Sequence, residues 1–293
     1  MDPFALHHEG IGFSTPRPKC DVVLPFRGQL DYVEQAISSI LAQEGVDLTL
    51  HLIDDATTND IDAWLDRQLC DDRVRVYRNR ENIGQFLSFN NVVPFCESEW
   101  LVTQDGDDVS LPRRLADSIQ LAVLCEADLV GAATVLDGPE LDTRKLRHMT
   151  TVLDHEHRYH RVSFSPRPGF RTYFLENPTL VHRRQCFERL RGFADLADTL
   201  RNRTTLDTDY MVRALHAGAN IVASRRLAVR YRVHENSAIH HHDTRLGSPI
   251  RNQSQAWLSR RISMYARGGI DPAVFGALGR HRGVTVPWKG RGQ

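Results

Sequence analysis

The chain has 293 residues, of which 41% are apolar and 25% charged, and its formal net charge at pH 7 is zero. These totals are ordinary for a soluble globular protein with one large domain or two modest ones. No apolar run approaches the roughly 20 residues that span a bilayer, which excludes a transmembrane segment. The first 20 residues lack a signal pattern, and the five cysteines are scattered without C-x-x-C spacing. We therefore expect a cytoplasmic protein with free thiols.

Strands and helices alternate along the first half of the chain. An apolar strand at 20–26 precedes a helix over 29–44 whose apolar residues recur on one face: Val33, Ala36, Ile37, Ile40 and Leu41. The strands that follow are predicted at 48–55, 73–77, 99–108 and 127–136, and the helices over 57–69, 82–95 and 110–126. This order predicts an α/β fold with a mainly parallel central sheet flanked by helices.

The second half of the chain is less regular. A polar stretch rich in His and Arg follows residue 137, and we interpret it as an excursion within the same domain. A short strand and a helix are predicted within 173–195, a helix and then a strand within 206–234, and a terminal helix over 251–269. We expect the last nine residues, 285–293, to be mobile.

Charge is distributed unevenly between the two halves. Residues 1–130 contain 10 Lys and Arg against 23 Asp and Glu, whereas the remaining residues contain 27 against 14. Two interpretations are open: the halves neutralise each other across an internal interface, or an acidic half holds a cation while a basic half receives an anionic ligand.

Acidic residues gather where two predicted strands end. Asp54 and Asp55 end the second strand, and Asp105, Asp107 and Asp108 end the fourth. In parallel sheets ligands bind beyond these carboxyl ends, and carboxylate oxygens suit Mg2+ or Mn2+ completed by a substrate diphosphate. The glycine-rich turns of dinucleotide-binding and P-loop proteins are absent, and the spacing of an EF-hand is not met. A solvated loop without a ligand is the alternative.

Seven short motifs then occur in an order that resembles family 2 glycosyltransferases of the GT-A (Rossmann-like) fold, over roughly residues 20–240. They are Pro25-Phe26-Arg27, Ser39-Ile40-Leu41-Ala42-Gln43, Asp54-Asp55-Ala56-Thr57, Asn82-Ile83-Gly84, the acidic segment with Pro112, Arg114 and Leu115, Asp207-x-Asp209 with Arg213 and Gly218, and Tyr231-Arg232-Val233-His234-Glu235-Asn236-Ser237. Two departures stand out. Leu206 replaces a glutamate before Asp207, and Ser88-Phe89-Asn90 lacks an arginine of the family, which Arg27 or a C-terminal arginine could replace.

The resemblance implies an inverting, metal-dependent transferase that moves a sugar from a nucleotide-diphosphate donor, expected to be a UDP-sugar, to an acceptor hydroxyl. The acceptor is unknown, and the basic half suggests that it is anionic. By position, the chain divides into an N-terminal arm (1–19), a nucleotide-sugar-binding half (20–137), an acceptor-side half of the same domain (138–240), and a C-terminal helix and tail (241–293).

The resemblance also implies roles for individual residues. Asp107 would bind Mn2+ or Mg2+, Asp105 the ribose or the metal, and His234 the diphosphate or the metal, while Asp108 could merely hold the turn. Asp207 would be the general base, with Asp209 as its competitor. The residues placed around the nucleotide are Pro25, Phe26, Arg27, Asp54, Asp55, Asn82 and Gly84, although Asp54 could equally serve only to end its strand.

Several alternatives remain open at this point. A similar fold could carry out nucleotidyl transfer to a sugar phosphate, and the basic half could belong to a non-enzymatic binder of anionic polymers. The C-terminal helix could pack on its own domain, dock on a membrane or form a homodimer. The run His240-His241-His242 could bind a metal or lie in a solvated loop. Asn177-Pro178 could shape an acceptor wall or form only a turn.

Overall fold

The computed structural model describes residues 17–138, 159–161, 175–198, 200–238 and 240–290. Its strands are β1 Lys19–Phe26, β2 Asp47–Asp54, β3 Val74–Asn79, β4 Trp100–Thr103, β5 Val109–Ser110, β6 Leu129–Asp137, β7 Tyr159–Arg161, β8 Val181–Arg183, β9 Ile221–Arg232 and β10 Thr285–Pro287. Its α-helices are α1 Leu30–Leu41, α2 Asp62–Gln68, α3 Gln85–Val92, α4 Arg114–Leu124, α5 Arg184–Arg189, α6 Leu206–His216 and α7 Pro249–Ala266.

Within these residues one sheet runs in the order β10-β3-β2-β1-β4-β8-β6-β9-β5, and β7 pairs with β9 beside it. Strands β3, β2, β1 and β4 are parallel, as are β6 and β9, whereas β8 is antiparallel to both of its neighbours. The predicted α/β architecture is confirmed. The chain leaves β1 toward β2 on one side and returns to β4 on the other, which opens a crevice at their carboxyl ends.

Helices cover both faces of the sheet because successive β1 side chains point to opposite sides. Val22 and Leu24 belong to a core shared with α1, α2 and α4, which contribute Val33, Ile37, Ile40, Trp64, Leu115 and Ile119. Val23 belongs to a second core shared with α3, α5 and α6, which contribute Phe86, Phe89, Phe187, Tyr210 and Met211. The two cores fix the central strands, and with them the crevice at their ends.

The motif Ser39-Ile40-Leu41-Ala42-Gln43, at the end of α1, has a structural role. Gln43 donates from Nε2 to the carbonyl of Leu111 at 2.8 Å and accepts at Oε1 from the Leu115 amide at 3.1 Å. The Ser39 hydroxyl oxygen accepts from the Ser110 amide at 3.0 Å. These contacts hold the chain directly after the acidic segment, so α1 positions that segment from a distance.

The uneven charge of the chain is partly balanced inside the domain. Arg183 on β8 pairs with Glu99 at the start of β4, and the Arg226 guanidinium on β9 lies 2.9 Å from the Asp117 carboxylate on α4. Because both pairs join the basic half to the acidic half, they support mutual neutralisation across an internal interface. These two pairs involve only a few of the charged residues, and other acidic residues lie at the crevice.

The end of the chain differs from the sequence prediction. Residues Thr285–Pro287 form β10, antiparallel to β3, and the Trp288 indole donates to Asp66 at 3.0 Å. The prediction of a mobile tail is therefore wrong for 285–290. Three residues of β10 give too short a pattern to identify in a sequence, and only pairing with β3 makes them a strand.

The C-terminal helix α7 packs on its own domain. Ser248 caps its start by accepting from the Arg251 amide at 3.2 Å, and Leu258 and Tyr265 are buried against the rest of the chain. The Thr204 hydroxyl, just before α6, donates to Ser254 at 2.9 Å. Among the described residues no helix is long and apolar enough to cross a membrane. Self-association through α7 stays a prediction, as do the domain boundaries; most of the excursion after residue 137 lies outside the described residues.

Candidate active site

A cavity of about 290 Å³ lies where β1, β2 and β4 end. It collects residues from most of the predicted motifs, namely Pro25, Phe26, Arg27, Asp55, Asn82, Gly84, Asp105 and Asp107. The predicted Asp54 and Asp209 point elsewhere. His234 and Asp207 are not among the lining residues, but His234 contacts Asp107, which is. Segments far apart in the chain thus converge on one space, as the strand-end argument required.

Asp55 anchors the wall of the cavity beside α3. Its Oδ1 accepts from the Ile83 amide at 2.9 Å and the Asn79 side chain at 2.8 Å, and its Oδ2 accepts from the Gly84 amide at 2.9 Å. Burial raises the pKa of the Asp55 carboxyl, and these hydrogen bonds oppose that rise. A carboxylate offers about four acceptor positions. Three are used by these bonds, and the Ser88 hydroxyl, which also lowers the pKa of Asp55, lies close to the same carboxylate. Asp55 nevertheless lines the cavity.

Asp54 faces the other way. Its carboxylate accepts from the Thr57 amide at 2.9 Å and lies 3.0 Å from the Arg78 guanidinium, and its side chain is fully buried. The residue closes the turn after β2 and fixes a neighbouring strand. This geometry matches the strand-ending interpretation of Asp54 rather than contact with a ligand in the cavity.

Two buried side chains, Gln104 and Arg114, hold the acidic segment in place. Gln104 donates from Nε2 to the carbonyls of Asp105 and Asp108, both at 2.9 Å. Its Oε1 accepts from the Arg114 guanidinium and the Ser110 hydroxyl, each at 2.7 Å. Arg114 is 2% exposed, and burial lowers its pKa to about 10, so it stays charged at neutral pH. The positive charge of Arg114 therefore already lies close to Asp105 and Asp108.

Arg114→Met is expected to destabilise the protein by on the order of 3 kcal/mol, because its hydrogen bonds to Gln104, Ser110 and the Thr103 carbonyl are lost in a buried site. Arg113→Met is the matched control: its side chain is 43% exposed and pairs with Asp117 at 3.5 Å. The control should cost less than about 0.5 kcal/mol. Urea unfolding of both variants measures the difference, and equal losses would contradict a supporting role for Arg114.

Two of the three aspartates ionise less readily than a free carboxyl, because they are buried and have acidic neighbours. Asp105 accepts from Asn177 at 2.7 Å, yet burial and the charge of Asp107 raise its pKa to about 7. Asp108 accepts from the Arg232 amide at 2.7 Å, and burial and its two acidic neighbours raise its pKa well above the ordinary value. Its other oxygen is buried and has no hydrogen-bond partner among the described residues. Arg114 alone does not balance this cluster, which leaves a place for a further cation.

His234 stands directly against this cluster. Its Nε2 lies 3.0 Å from the Asp107 carboxylate, and its ring packs on Tyr32 with centroids 5.0 Å apart. The Asn236 amide donates to His234 Nδ1 at 3.2 Å, so the neutral ring carries its hydrogen on Nε2 and donates it to Asp107. Ligation of a metal through Nε2 would require the other tautomer and the loss of the Asn236 contact.

The donor set at this end of the cavity fits a hard divalent cation. The available atoms are the carboxylate oxygens of Asp105 and Asp107, with the His234 imidazole beside them. Mg2+ and Mn2+ prefer oxygen ligands and are commonly held by one or two carboxylates plus a substrate phosphate. The repulsion between Asp105 and Asp107 supports the same conclusion.

Asp207 lies in the first turn of α6, close to the acidic cluster. Its Oδ1 accepts from the Thr208 amide at 2.8 Å. Burial raises the pKa of Asp207, while that hydrogen bond and the charge of Arg251 oppose the rise. The charge of Asp207 in turn raises the pKa of Asp105, which places the two carboxyls near one another. A carboxyl with a raised pKa beside a cavity is suited to accept a proton.

Asp209 instead has a structural role. Its Oδ2 lies 2.8 Å from Arg213 Nε, and both side chains are fully buried. Arg213 also donates to the carbonyls of Leu190 at 2.8 Å and Gly192 at 2.5 Å. The pair ties α6 to the turn after α5. Of the two candidate bases, the geometry favours Asp207.

Asp209→Asn is expected to cost about 3–5 kcal/mol of stability, because it leaves the buried charge of Arg213 without its partner. Asp207→Asn, two residues away on the same helix, should cost about 1 kcal/mol or less, since that carboxyl keeps one hydrogen bond that an amide oxygen can also accept. Chemical denaturation of the two variants makes the comparison. A larger loss for Asp207→Asn would contradict the structural assignment of Asp209.

Two ionisable residues near the cavity were not singled out from the sequence. Glu176 precedes β8, and burial together with the charges of Asp207 and Asp105 raises its pKa to about 8. Its neighbour Asn177 donates to Asp105, so this segment contacts the acidic segment, and its role as an acceptor wall stays a prediction. Arg203 lines the cavity from the irregular segment before α6. The adjacent Asn177-Pro178 pair was the sequence signal that could have identified Glu176. Nothing in the local sequence indicated Arg203.

Arg203 supplies the cavity with a cation that α3 does not. Phe89 stands at the position of the family arginine and is buried against Phe187 and Phe193, so no cation enters from that position of α3. Burial and the nearby Arg27 lower the pKa of Arg203, while Asp55 raises it. Arg203 and Arg27 therefore present positive charge to the same space that Asp55 and Asp107 line.

The fold and this cavity define a GT-A protein, and comparison with solved structures agrees. The Staphylococcus aureus TarS fragment 1-349 in complex with UDP-GlcNAc aligns with a TM-score of 0.62 at 14% identity, covering 86% of this chain and 67% of the fragment. The mannosyltransferase PcManGT of Pyrobaculum calidifontis, in complex with GDP-Man and Mn2+, aligns with a TM-score of 0.58 at 14% identity, covering 89% and 78%. At these identities the likeness shows the fold alone.

The chain belongs to glycosyl transferase family 2, whose sequence pattern matches residues 21–193. EpsE of Bacillus subtilis strain 168, described by its name as a glycosyltransferase, is 26% identical over 207 residues, which are 69% of this chain and 68% of EpsE. The succinoglycan biosynthesis protein ExoO of Rhizobium meliloti strain 1021 is 32% identical over 130 residues, 44% of this chain and 36% of ExoO. The chain therefore spans only about a third of ExoO. The protein is a glycosyltransferase.

Proposed function

We propose that this glycosyltransferase binds a nucleotide-diphosphate sugar in the cavity and transfers the sugar to an acceptor hydroxyl with inversion, using Mn2+ or Mg2+. The observation that carries the proposal is the convergence of Asp55 and Asp107 on one cavity at the β1–β4 crevice. The Asp55 carboxylate would accept from a nucleotide base, and Asp107 lies in an acidic cluster that needs a cation. UDP-sugars are our first choice of donor.

The nucleotide end of the donor belongs beside Asp55 and Phe26. The Asp55 carboxylate at the cavity wall suits an N–H on the edge of a base, and Pro25 and Phe26 provide an apolar surface for the ring of that base. Phe26 is fixed by an edge contact with Trp64 at 5.4 Å between centroids. Gly84, with φ of 84°, allows its amide to reach Asp55 while opening α3.

The diphosphate belongs between the acidic cluster and the arginines. Asp107 and Asp105 would hold the divalent ion, with His234 orienting Asp107 through its hydrogen bond. When bound, the ion neutralises the diphosphate and favours its departure. Arg203 and Arg27 provide further positive charge for the same group.

Asp207 would act as the general base. The acceptor oxygen forms a bond to the anomeric carbon while the bond from that carbon to the diphosphate breaks, and the acceptor proton passes to Asp207. A single displacement of this kind inverts the anomeric centre. Its position near Asp105, with the fully buried Asp209 turned into the core, supports this role for Asp207.

A thermal-shift titration with nucleotide ligands tests the proposal. We expect UDP, GDP or dTDP, or a sugar derivative of one of them, to raise the unfolding temperature when Mn2+ or Mg2+ is present, and to do so much less with a chelator. A ligand at 100 times its dissociation constant stabilises by about 2.7 kcal/mol, an effect that such a titration resolves. No metal-dependent shift with any of them would contradict the proposal.

The acceptor side carries a feature that supports an anionic acceptor. Arg251 at the start of α7 lies close enough to Asp207 to oppose the rise in its pKa. A guanidinium beside the general base would attract a phosphate or carboxylate attached near the accepting hydroxyl. We infer that an acceptor with such a group is preferred over a neutral glycan of the same length.

A further inference from the structure

Two histidines and an aspartate converge at the rim of the cavity, separate from the acidic segment. His242 Nε2 lies 3.0 Å from one oxygen of Asp243, and His241 Nδ1 lies 3.8 Å from the other. The two imidazole rings are tilted by 35°, with centroids 4.6 Å apart. One potential ligand atom from each of the three side chains lies within 4.8 Å of the others. Both imidazoles thus lie beside one carboxylate, and an ion on His241 Nδ1 would replace the hydrogen bond that this nitrogen accepts from the Asp243 amide at 3.3 Å.

We propose that His241, His242 and Asp243 form a second metal site, which binds one d-block divalent cation such as Zn2+, Ni2+ or Co2+. Two imidazole nitrogens and one carboxylate oxygen suit these ions better than Mg2+, which prefers oxygen alone. Bonds of about 2.0–2.1 Å place the ligand atoms around one tetrahedral ion roughly 3.3 Å apart. The observed separations, 3.0 and 3.8 Å from the histidine nitrogens to Asp243, are close to that value. Three protein ligands leave one position for water or a ligand.

The backbone of this segment is held in place, unlike that of a solvated histidine run. The His241 amide donates to the Ser237 carbonyl at 2.8 Å, and the His241 carbonyl accepts from the Arg245 amide at 2.8 Å. The Ser248 hydroxyl donates to the Asp243 carbonyl at 2.8 Å. Backbone contacts on either side therefore fix the two outer ligands. A fixed backbone reduces the entropy lost when an ion orders the side chains.

Arg251 adds a second restraint from α7. Its Nε donates to the Thr244 carbonyl at 2.9 Å and its Nη2 to the Ala238 carbonyl at 3.1 Å. These bonds hold the segment against the cavity, where Ala238 and His241 both contribute to the lining. An ion bound by His241 would therefore lie at the mouth of the cavity. Binding of this ion would change the charge and the space met by any molecule that enters the cavity there.

His240 supplies the matched control. It belongs to the same run of three histidines and is exposed, but it is not part of the converging group. A structured site requires His242 and Asp243 and does not require His240. A flexible histidine run would use all three histidines alike. The comparison therefore separates a built site from adventitious binding.

The test is a Co2+ titration of the full chain, followed by visible absorption and by competition with Zn2+. It is run in Asp107→Asn, which removes a ligand of the oxygen-rich site, and it uses no nucleotide sugar, so its outcome is independent of the proposed reaction. We expect one Co2+ per chain with an absorption typical of nitrogen ligation. His242→Ala or Asp243→Asn should weaken binding by at least about tenfold, the loss seen even for outer-shell partners.

His240→Ala should change the Co2+ affinity by less than about twofold. Thermal unfolding without metal checks that each variant is folded. Equal weakening by His240→Ala and His242→Ala would overturn the proposal, because it would reveal a flexible run. The absence of Co2+ binding in Asp107→Asn, when wild type binds it, would also overturn it, because the ion would then belong to the acidic segment.

Discussion

Asp207→Asn is expected to reduce sugar transfer by on the order of 10³-fold, within the range that a general base contributes. Nucleotide binding should stay within about twofold of wild type, because Asp207 does not line the cavity. The amide has nearly the same shape as the carboxyl but cannot accept the acceptor proton. Transfer rates measured with saturating donor, together with calorimetry of nucleoside diphosphate binding, separate the two effects.

Glu176→Gln is the control for this prediction. Glu176 lies in the same carboxyl cluster, but its pKa of about 8 keeps it mostly protonated at neutral pH. A neutral amide therefore imitates its charge state, and the loss of activity should be less than about tenfold. An active Asp207→Asn variant, or a greater loss for Glu176→Gln, would contradict the assignment of the base.

Asp107→Asn is expected to abolish metal-dependent donor binding, with a loss of at least about 100-fold in affinity for the nucleotide sugar in Mn2+. The side chain lines the cavity and is the carboxylate that His234 orients. Without it, one carboxylate of the Asp105 and Asp107 pair is left to face the ion. Calorimetric titration of the donor, with Mn2+ and with a chelator, measures the loss.

Asp108→Asn is the neighbouring control. Burial and two adjacent carboxylates raise the pKa of Asp108 well above its ordinary value, which favours the neutral carboxyl that an amide imitates in shape. Its bond from the Arg232 amide can pass to the new amide oxygen. We expect a change in donor affinity of roughly threefold or less. Equal losses in the two variants would contradict the distinction between ligand and turn residue.

The part of the fold that the sequence predicted is the part governed by local pattern. Apolar strands that end in acid and helices with one apolar face identify β1 to β4 with their helices, because each pattern lies within about a dozen residues. The carboxyl ends of those strands meet by the geometry of parallel sheets. That is why Asp55 and Asp107 could be assigned to one site before their distance was known.

The rest of the site depends on contacts between distant segments. Arg203 and Glu176 come from irregular segments, and only the antiparallel insertion of β8 between β4 and β6 brings Glu176 beside Asp105. Asp54 and Asp55 are chemically alike in the sequence, and their opposite directions follow from strand alternation at the end of β2. Likewise, the buried partner Arg213 distinguishes Asp209 from Asp207.

The central claim is that this cavity is a metal-dependent site for a nucleotide-diphosphate sugar. The most direct measurement is the release of nucleoside diphosphate from a panel of UDP-, GDP- and dTDP-sugars incubated with the wild-type chain. We predict slow hydrolysis of at least one donor in Mn2+ or Mg2+, fastest with a UDP-sugar, and its arrest by a chelator. Hydrolysis of no donor, or hydrolysis that the chelator leaves unchanged, would contradict the account.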